Sequence, residues 1–216
     1  MKRRQHGLSL IELMIAILIS SLLLLGVLQL FGNTTASDRT NSALARVQES
    51  GRIALEIIGA DARRAGYQGC RSAADPTTVG TLTFPAAALA AGSLSVTFRY
   101  ATRSNTGTAF GSNKNCNADS LYLQTVTYSR CPSGGVSRIC KAVNGGAATP
   151  ILDNADITSI QFGIPAAGNM LWKEGTAVST NDLKDAQAVR VTLSVSDARN
   201  EISRSFAGTY ELRNRL

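Results

Sequence analysis

The chain has 216 residues, 44% of them hydrophobic and 17% charged, enough for one membrane helix and one domain of ordinary size with its own core. Its net charge of +7 is weak evidence for an acidic partner, because Lys2, Arg3 and Arg4 supply three of the 22 basic residues and leave 19 against 15 acidic ones. The densest basic groups, Arg63-Arg64 with Arg71, Arg99 with Arg103, and Arg213 with Arg215, lack the clustering and aromatic interleaving that nucleic acid demands, so direct nucleic-acid binding is not expected.

In chain order, the first stretch is Gly7-Leu8-Ser9-Leu10-Ile11-Glu12-Leu13-Met14-Ile15-Ala16, behind the basic Lys2-Arg3-Arg4. Residues 13–31 contain no ionisable side chain, and as a helix at 1.5 Å per residue they are about 28 Å long, close to a hydrocarbon core. A secretory signal peptide would have a shorter apolar region and a small-x-small cleavage site, which Phe31-Gly32-Asn33-Thr34-Thr35-Ala36 does not offer. A plain signal anchor with a cytoplasmic N-terminus fits the length and the leading basic residues. It leaves Glu12 unexplained, and a carboxylate inside an apolar span costs about 2.5–3.5 kcal/mol on insertion scales. A capping box, Ser9-x-x-Glu12, would give that side chain a purely local use.

Basic leader, Gly7, Glu12 and uninterrupted apolar run, in that order, resemble the prepilin signal of type IV pilins and type II secretion pseudopilins. The resemblance implies that a prepilin peptidase cuts after Gly7, that the new amine of Leu8 is methylated, and that Glu12 is the assembly glutamate, fifth in the mature chain. Leu8 stands where the family usually has Phe. On a helix the Leu8 amine and Glu12 lie four residues apart on one face, so they can neutralise one another within one subunit or between neighbours. The sole histidine, His6, falls in the leader, so the mature chain would lack His-based acid–base chemistry and His metal ligands. No enzymatic activity, cofactor or metal site is expected.

Residues 32–38 read as a point where the helix kinks or loosens. An amphipathic pattern then resumes, with Leu44, Val47, Gly51, Ala54, Ile58, Ala62 and Ala65 in steps of three and four and Arg46, Glu49, Arg52, Glu56 and Arg63 mostly off that stripe. Gly66 suits a C-terminal cap. Further on the period becomes strand-like. Leu94, Val96, Phe98 and Tyr100 alternate; Leu121 and Leu123 give way to Val126 and Tyr128 on shifted parity, which predicts a bulge. Residues 157–164 form a candidate strand, Val189, Val191, Leu193 and Val195 alternate, and Phe206, Gly208, Tyr210 and Leu212 return after the turn Asp197-Ala198-Arg199-Asn200. Residues 102–118 and 166–185 read as surface loops. Trp172 in the second is either an exposed anchor or, the favoured reading, packed at the core edge.

Cys70, Cys116, Cys131 and Cys140 all lie on the non-cytoplasmic side given by the charge rule, where two disulfides are the default. Pairing Cys116 with Cys131 is disfavoured because an intervening strand would carry them apart at about 3.3 Å per residue. Cys131 with Cys140 closes a Pro-Ser-Gly-Gly loop, leaving Cys70 with Cys116.

Together these readings predict an α+β, pilin-like fold: a long N-terminal helix, half membrane-spanning and half amphipathic, packed on an antiparallel β-sheet with disulfide-bonded loops. The divisions are a leader at 1–7, a transmembrane or filament-core helix at 8–31, its amphipathic continuation at 32–69 and a β-rich periplasmic or extracellular domain at 70–216. Gln48-x-Ser50-Gly51-Arg52 and Asp61-x-Arg63-x-Ala65-Gly66-Tyr67-x-Gly69-Cys70, with the later Ile160-x-Phe162-Gly163 and Ala188-Val189-Arg190-Val191-x-Leu193, resemble PilW-type minor pilins. That resemblance implies a low-abundance subunit that primes type IV pilus assembly and sits at or near the tip, in pili serving twitching motility, adhesion and DNA uptake. The implied partners are other minor pilins, the major pilin, prepilin peptidase, the inner-membrane assembly machinery and a tip adhesin. The implied location is the inner membrane before assembly and the pilus afterwards. The alternatives are a minor pseudopilin of a type II secretion system and a signal-anchored periplasmic binding protein.

Overall fold

The structure is a computed structural model and describes residues 9–131 and 134–213. The chain divides into two compact units, residues 1–45 and 46–216. One α-helix, α1 (Leu10–Arg64), contributes to both.

In the first unit α1 is helical without interruption, including residues 32–38 where a kink or loosening was expected. The polar residues there are accommodated by back-bonding: the hydroxyls of Thr34, Thr35 and Thr40 donate to the carbonyls of Leu30, Phe31 and Ala36 at 2.9, 2.8 and 3.1 Å. Hydroxyls that bond the preceding turn do not compete for the ladder's amides, so the helix continues.

In the second unit α1 buries Val47, Gly51, Ala54, Ile58, Gly59, Asp61 and Ala62, the expected stripe with a carboxylate in it. Helix hydrogen bonding stops at Arg64, and Gly66 adopts φ +83° with its N–H donating to the Arg99 carbonyl at 3.0 Å, so a left-handed glycine turns the chain into the sheet. The strands are β1 (Thr77–Val79), β2 (Leu82–Phe84), β3 (Leu89–Ala91), β4 (Ser95–Thr102), β5 (Ala109–Lys114), β6 (Ser120–Arg130), β7 (Arg138–Val143), β8 (Thr149–Asp153), β9 (Ala155–Ala166), β10 (Asn169–Glu174), β11 (Ala188–Ser196) and β12 (Ser203–Glu211). A short helix, α2 (Thr180–Asp185), precedes β11.

Where the pattern predicts one sheet, the strands form two principal antiparallel sheets and a β1-β2 ribbon. The six-stranded sheet has the order β3-β4-β6-β7-β8 with β5 also on β6; the four-stranded one has the order β10-β9-β11-β12. A single residue, Asn154 in the left-handed conformation (φ +52°), connects β8 to β9 and so carries the chain from one sheet to the other. The main core draws Val47, Ala54, Ile58 and Ala62 from α1, Val96, Phe98, Val126, Tyr128 and Ile139 from the larger sheet, and Ile157, Ile160, Phe162, Val189, Val191 and Leu193 from the smaller.

The parity change in β6 is not a bulge: β4 and β6 pair in unbroken register from Thr102↔Tyr122 to Ser95↔Ser129. The strand instead serves two cores. Val126 and Tyr128 face the main one, while Leu121 and Leu123 face a second cluster with Val79, Phe84, Ala101 and Phe110 on the other side. The register shift in the smaller sheet is between β11 and β9, at Thr192/Leu193. Both expected loops contain structure: residues 102–118 include β5, and residues 166–185 include β10, which follows β9 through the two-residue turn Ala167-Gly168 (φ +46° and +84°), and α2, held by a capping box between Ser179 and Asp182.

Disulfides join Cys70 to Cys116 and Cys131 to Cys140, with sequence separations of 46 and 9. Loop-closure entropy predicts that replacing the first pair by serine costs about 1.4 kcal/mol more stability than replacing the second, measured as the difference in urea unfolding free energy.

Two helix glycines admit β12. A Cβ on Gly51 would strike the Phe206 ring, and one on Gly59 would overlap the Tyr210 ring, whose hydroxyl donates to the Leu55 carbonyl at 2.6 Å. On a free helix face Gly→Ala gains about 1 kcal/mol. Here Gly59→Ala is expected to lose about 1–3 kcal/mol through overpacking, read as a lower urea midpoint at unchanged slope.

Candidate functional site

Gly7 and Leu8, the expected cleavage and methylation residues, lie outside the described residues. Glu12 is in the first turn of α1, exposed, one residue before Leu13, whose N–H donates to the Ser9 carbonyl at 3.1 Å. Beyond it the helix displays an apolar surface: the large side chains from Leu10 to Phe31 are 52–76% exposed, and the most apolar 18-residue window has a mean hydropathy of 2.6. The span's polar hydroxyls are satisfied within the helix, Ser20 donating to the Ala16 carbonyl at 2.7 Å and Ser21 to the Leu18 carbonyl at 2.8 Å. Glu12 is therefore the one ionisable side chain on an apolar helical surface that extends to residue 37. Such a surface needs a lipid or protein environment, and the carboxylate needs a cation within it.

In the second unit a polar centre lies under the amphipathic stretch of α1. Asp61 is 4% exposed. The Tyr100 hydroxyl donates to its Oδ1 at 2.7 Å, and the Tyr128 hydroxyl and Lys141 Nζ reach Oδ2 at 2.5 and 2.8 Å. These donors come from β4, β6 and β7, the contiguous strands of the larger sheet, so one helix carboxylate ties three strands to α1. The Lys141 ammonium also lies over the Tyr128 ring at 5.5 Å, and the Arg64 guanidinium lies over the Tyr100 ring at 5.8 Å. Burial, followed by the hydrogen bonds to Asp61, raises the pKa of both phenols well above the ordinary tyrosine value. Raised folded pKa values give stability that is complete below the unfolded tyrosine pKa, about 10, and declines above it. The protein is expected to lose stability above about pH 10, and Tyr128→Phe to flatten that decline in a pH series of thermal melts.

Sequence reasoning noted Asp61 only as part of a motif. The available signal is positional: Asp61 is three residues beyond Ile58 and so falls on the buried stripe, where an aspartate requires partners. All four cysteines are in disulfides and hence unavailable as nucleophiles. Among the described residues, no group of three or more His, Cys, Asp or Glu side chains could hold a metal. Trp172 is half-buried on β10 beside Gly163, with the Arg190 guanidinium 4.0 Å from its ring centroid.

Residues 2–28 match the family model for the prokaryotic N-terminal methylation motif. Among solved structures, a type IV-like pilin from Thermus thermophilus is similar at 10% identity with a TM-score of 0.44, over 78% of this chain and 96% of that one. No curated protein matches the sequence. The matched motif overlaps the apolar stretch of α1.

Proposed function

We propose that the chain, whose residues 2–28 match the prokaryotic N-terminal methylation motif, is a minor pilin of a type IV pilus. Prepilin peptidase removes residues 1–7 by cutting between Gly7 and Leu8, and the Leu8 amine is methylated. Residues 8–31 hold the subunit in the inner membrane with its N-terminus cytoplasmic and then line the filament core. Residues 32–69 continue as a stem into the domain at 70–216 on the non-cytoplasmic side. With other minor pilins the subunit primes assembly and remains at or near the tip, in contact with the major pilin and the inner-membrane machinery. The observation that carries this reading is Glu12, a lone carboxylate on an exposed apolar helix behind a prepilin signal. A minor pseudopilin of a type II secretion system would share that observation. Deleting the gene and measuring both surface pili and exoprotein secretion separates the two: lost pili with normal secretion supports the pilin, and the reverse overturns it in favour of the pseudopilin.

A further inference from the structure

The four-stranded sheet has a long open edge. β12 pairs with β11 through nine residues in unbroken register and contains no proline. The outer edges of the larger sheet are blunted. β3 has three residues, and β8 contains Pro150 and a register shift. The hydrogen bonds flanking β12, Asp197 N–H to the Ile202 carbonyl and Leu212 N–H to the Gln187 carbonyl, fix its phase: even-numbered residues bond β11, and Ser203, Ser205, Ala207, Thr209 and Glu211 turn their N–H and C=O groups outward. Among the described residues no backbone partner meets those outward groups.

Direction decides what can pair there. Phe206 lies over Gly51, and Tyr210 lies over Gly59 with its hydroxyl on Leu55, so β12 runs the same way as α1. Four residues of strand advance about 13 Å and eight of helix about 12 Å, so the two run nearly parallel. The pairings of this sheet are all antiparallel, so β11 runs opposite to α1, β9 along it, and β10 opposite again. Two copies joined β12 to β12 as antiparallel strands would have opposed stems. Two copies with stems pointing the same way present β12 of one and β10 of the other as antiparallel edges.

The β10 edge fits. The Gly175 N–H bonds the Ile160 carbonyl, which puts the outward backbone groups of β10 at Met170 and Trp172. Their side chains lie on the sheet face away from α1, as do those of Ser205, Ala207 and Thr209, so bulky residues would face small ones across the new pair. Met170 and Leu171 are 40% and 49% exposed, an apolar edge without cover in a single copy.

We propose that the β12 edge docks the β10 edge of a second copy of the same polarity, so that two neighbouring copies near the tip share one extended sheet. This rests on the filament reading, which supplies the common polarity. The test uses the full chain in native membranes, as differently tagged copies bearing Ala207→Cys and Trp172→Cys. Opposed residues of a hydrogen-bonded antiparallel pair have Cα atoms about 5.5 Å apart, within disulfide reach. A disulfide-linked dimer containing both tags, formed only when the two variants are mixed, is the expected result; Met170→Cys in place of Trp172→Cys covers the adjacent register. A dimer from Ala207→Cys alone, or none in any mixture while each variant keeps its two native disulfides, overturns the proposal. In cells, Ala207→Pro removes one outward donor without touching the β11 ladder, and loss of surface pili is expected. Normal pili in that variant, with pili lost on gene deletion, overturn the sheet contact and leave the pilin reading in place.

Discussion

Asp61→Ala is expected to destabilise the β-rich unit by about 3–5 kcal/mol, the cost of breaking a buried ion pair by removing one partner. Three donors converge on this carboxylate, and each is stranded differently. Lys141 is 26% exposed at its side chain and can swing toward water, which places its share at the low end. The phenols of Tyr100 and Tyr128 lie inside the main core at 2% and 0% exposure and cannot turn to water; Tyr128 retains only the long contact to the Ile57 carbonyl at 3.4 Å, and a buried donor left unpaired costs about 1–3 kcal/mol. For a unit of this size the sum corresponds to a fall in melting temperature on the order of 10 °C, measurable by circular dichroism on the detergent-solubilised chain. Asp61→Asn keeps acceptors for the hydroxyls but loses the charge, and should fall between wild type and alanine. Asp61→Leu combined with Lys141→Met removes both ions and should recover part of the loss. Equal stability of Asp61→Ala and wild type would show that the centre contributes nothing.

The same residue shows where sequence reading stops. The stem stripe from Val47 to Ala62 was legible because hydropathy and the 3.6 period are local properties, and Val189 to Val195 was legible through the period of two. The partners of Asp61 lie 39, 67 and 80 residues away, and no local pattern relates Tyr100, Tyr128 and Lys141 to a helix carboxylate. β6 misled for a related reason: a strand buried on one face at one end and on the other face at the other has the same signature as a bulge. The division into two sheets depends on Asn154, one residue whose left-handed conformation cannot be read from its neighbours. β1, β2 and β3, at three residues each, are too short for alternation to register. For the cysteines the sequence offered only a preference, since an intervening strand disfavours Cys116 with Cys131 and the short loop favours Cys131 with Cys140.

Glu12→Leu is expected to abolish surface pili while leaving the chain in the membrane. The substitution removes the only ionisable side chain in residues 8–37, so insertion becomes easier, by at most about 2.5–3.5 kcal/mol, the cost of a charge at the centre of a span, and an anchor-only role predicts wild-type function or better. The pilin reading predicts the opposite. If the carboxylate neutralises the Leu8 amine of a neighbouring subunit in an apolar surround, truncating it leaves that amine buried and unpaired at about 2–5 kcal/mol. At the lower figure subunit docking weakens roughly 30-fold. Glu12→Gln keeps the shape and hydrogen-bonding capacity without the charge, and should fail nearly as badly, which assigns the effect to the ion pair rather than to packing. Electron microscopy for pili and immunoblots of the membrane fraction read the two halves of the expectation separately. Normal piliation with Glu12→Leu would reduce the apolar helix to an anchor, whereas chain missing from the membrane would point to a targeting defect.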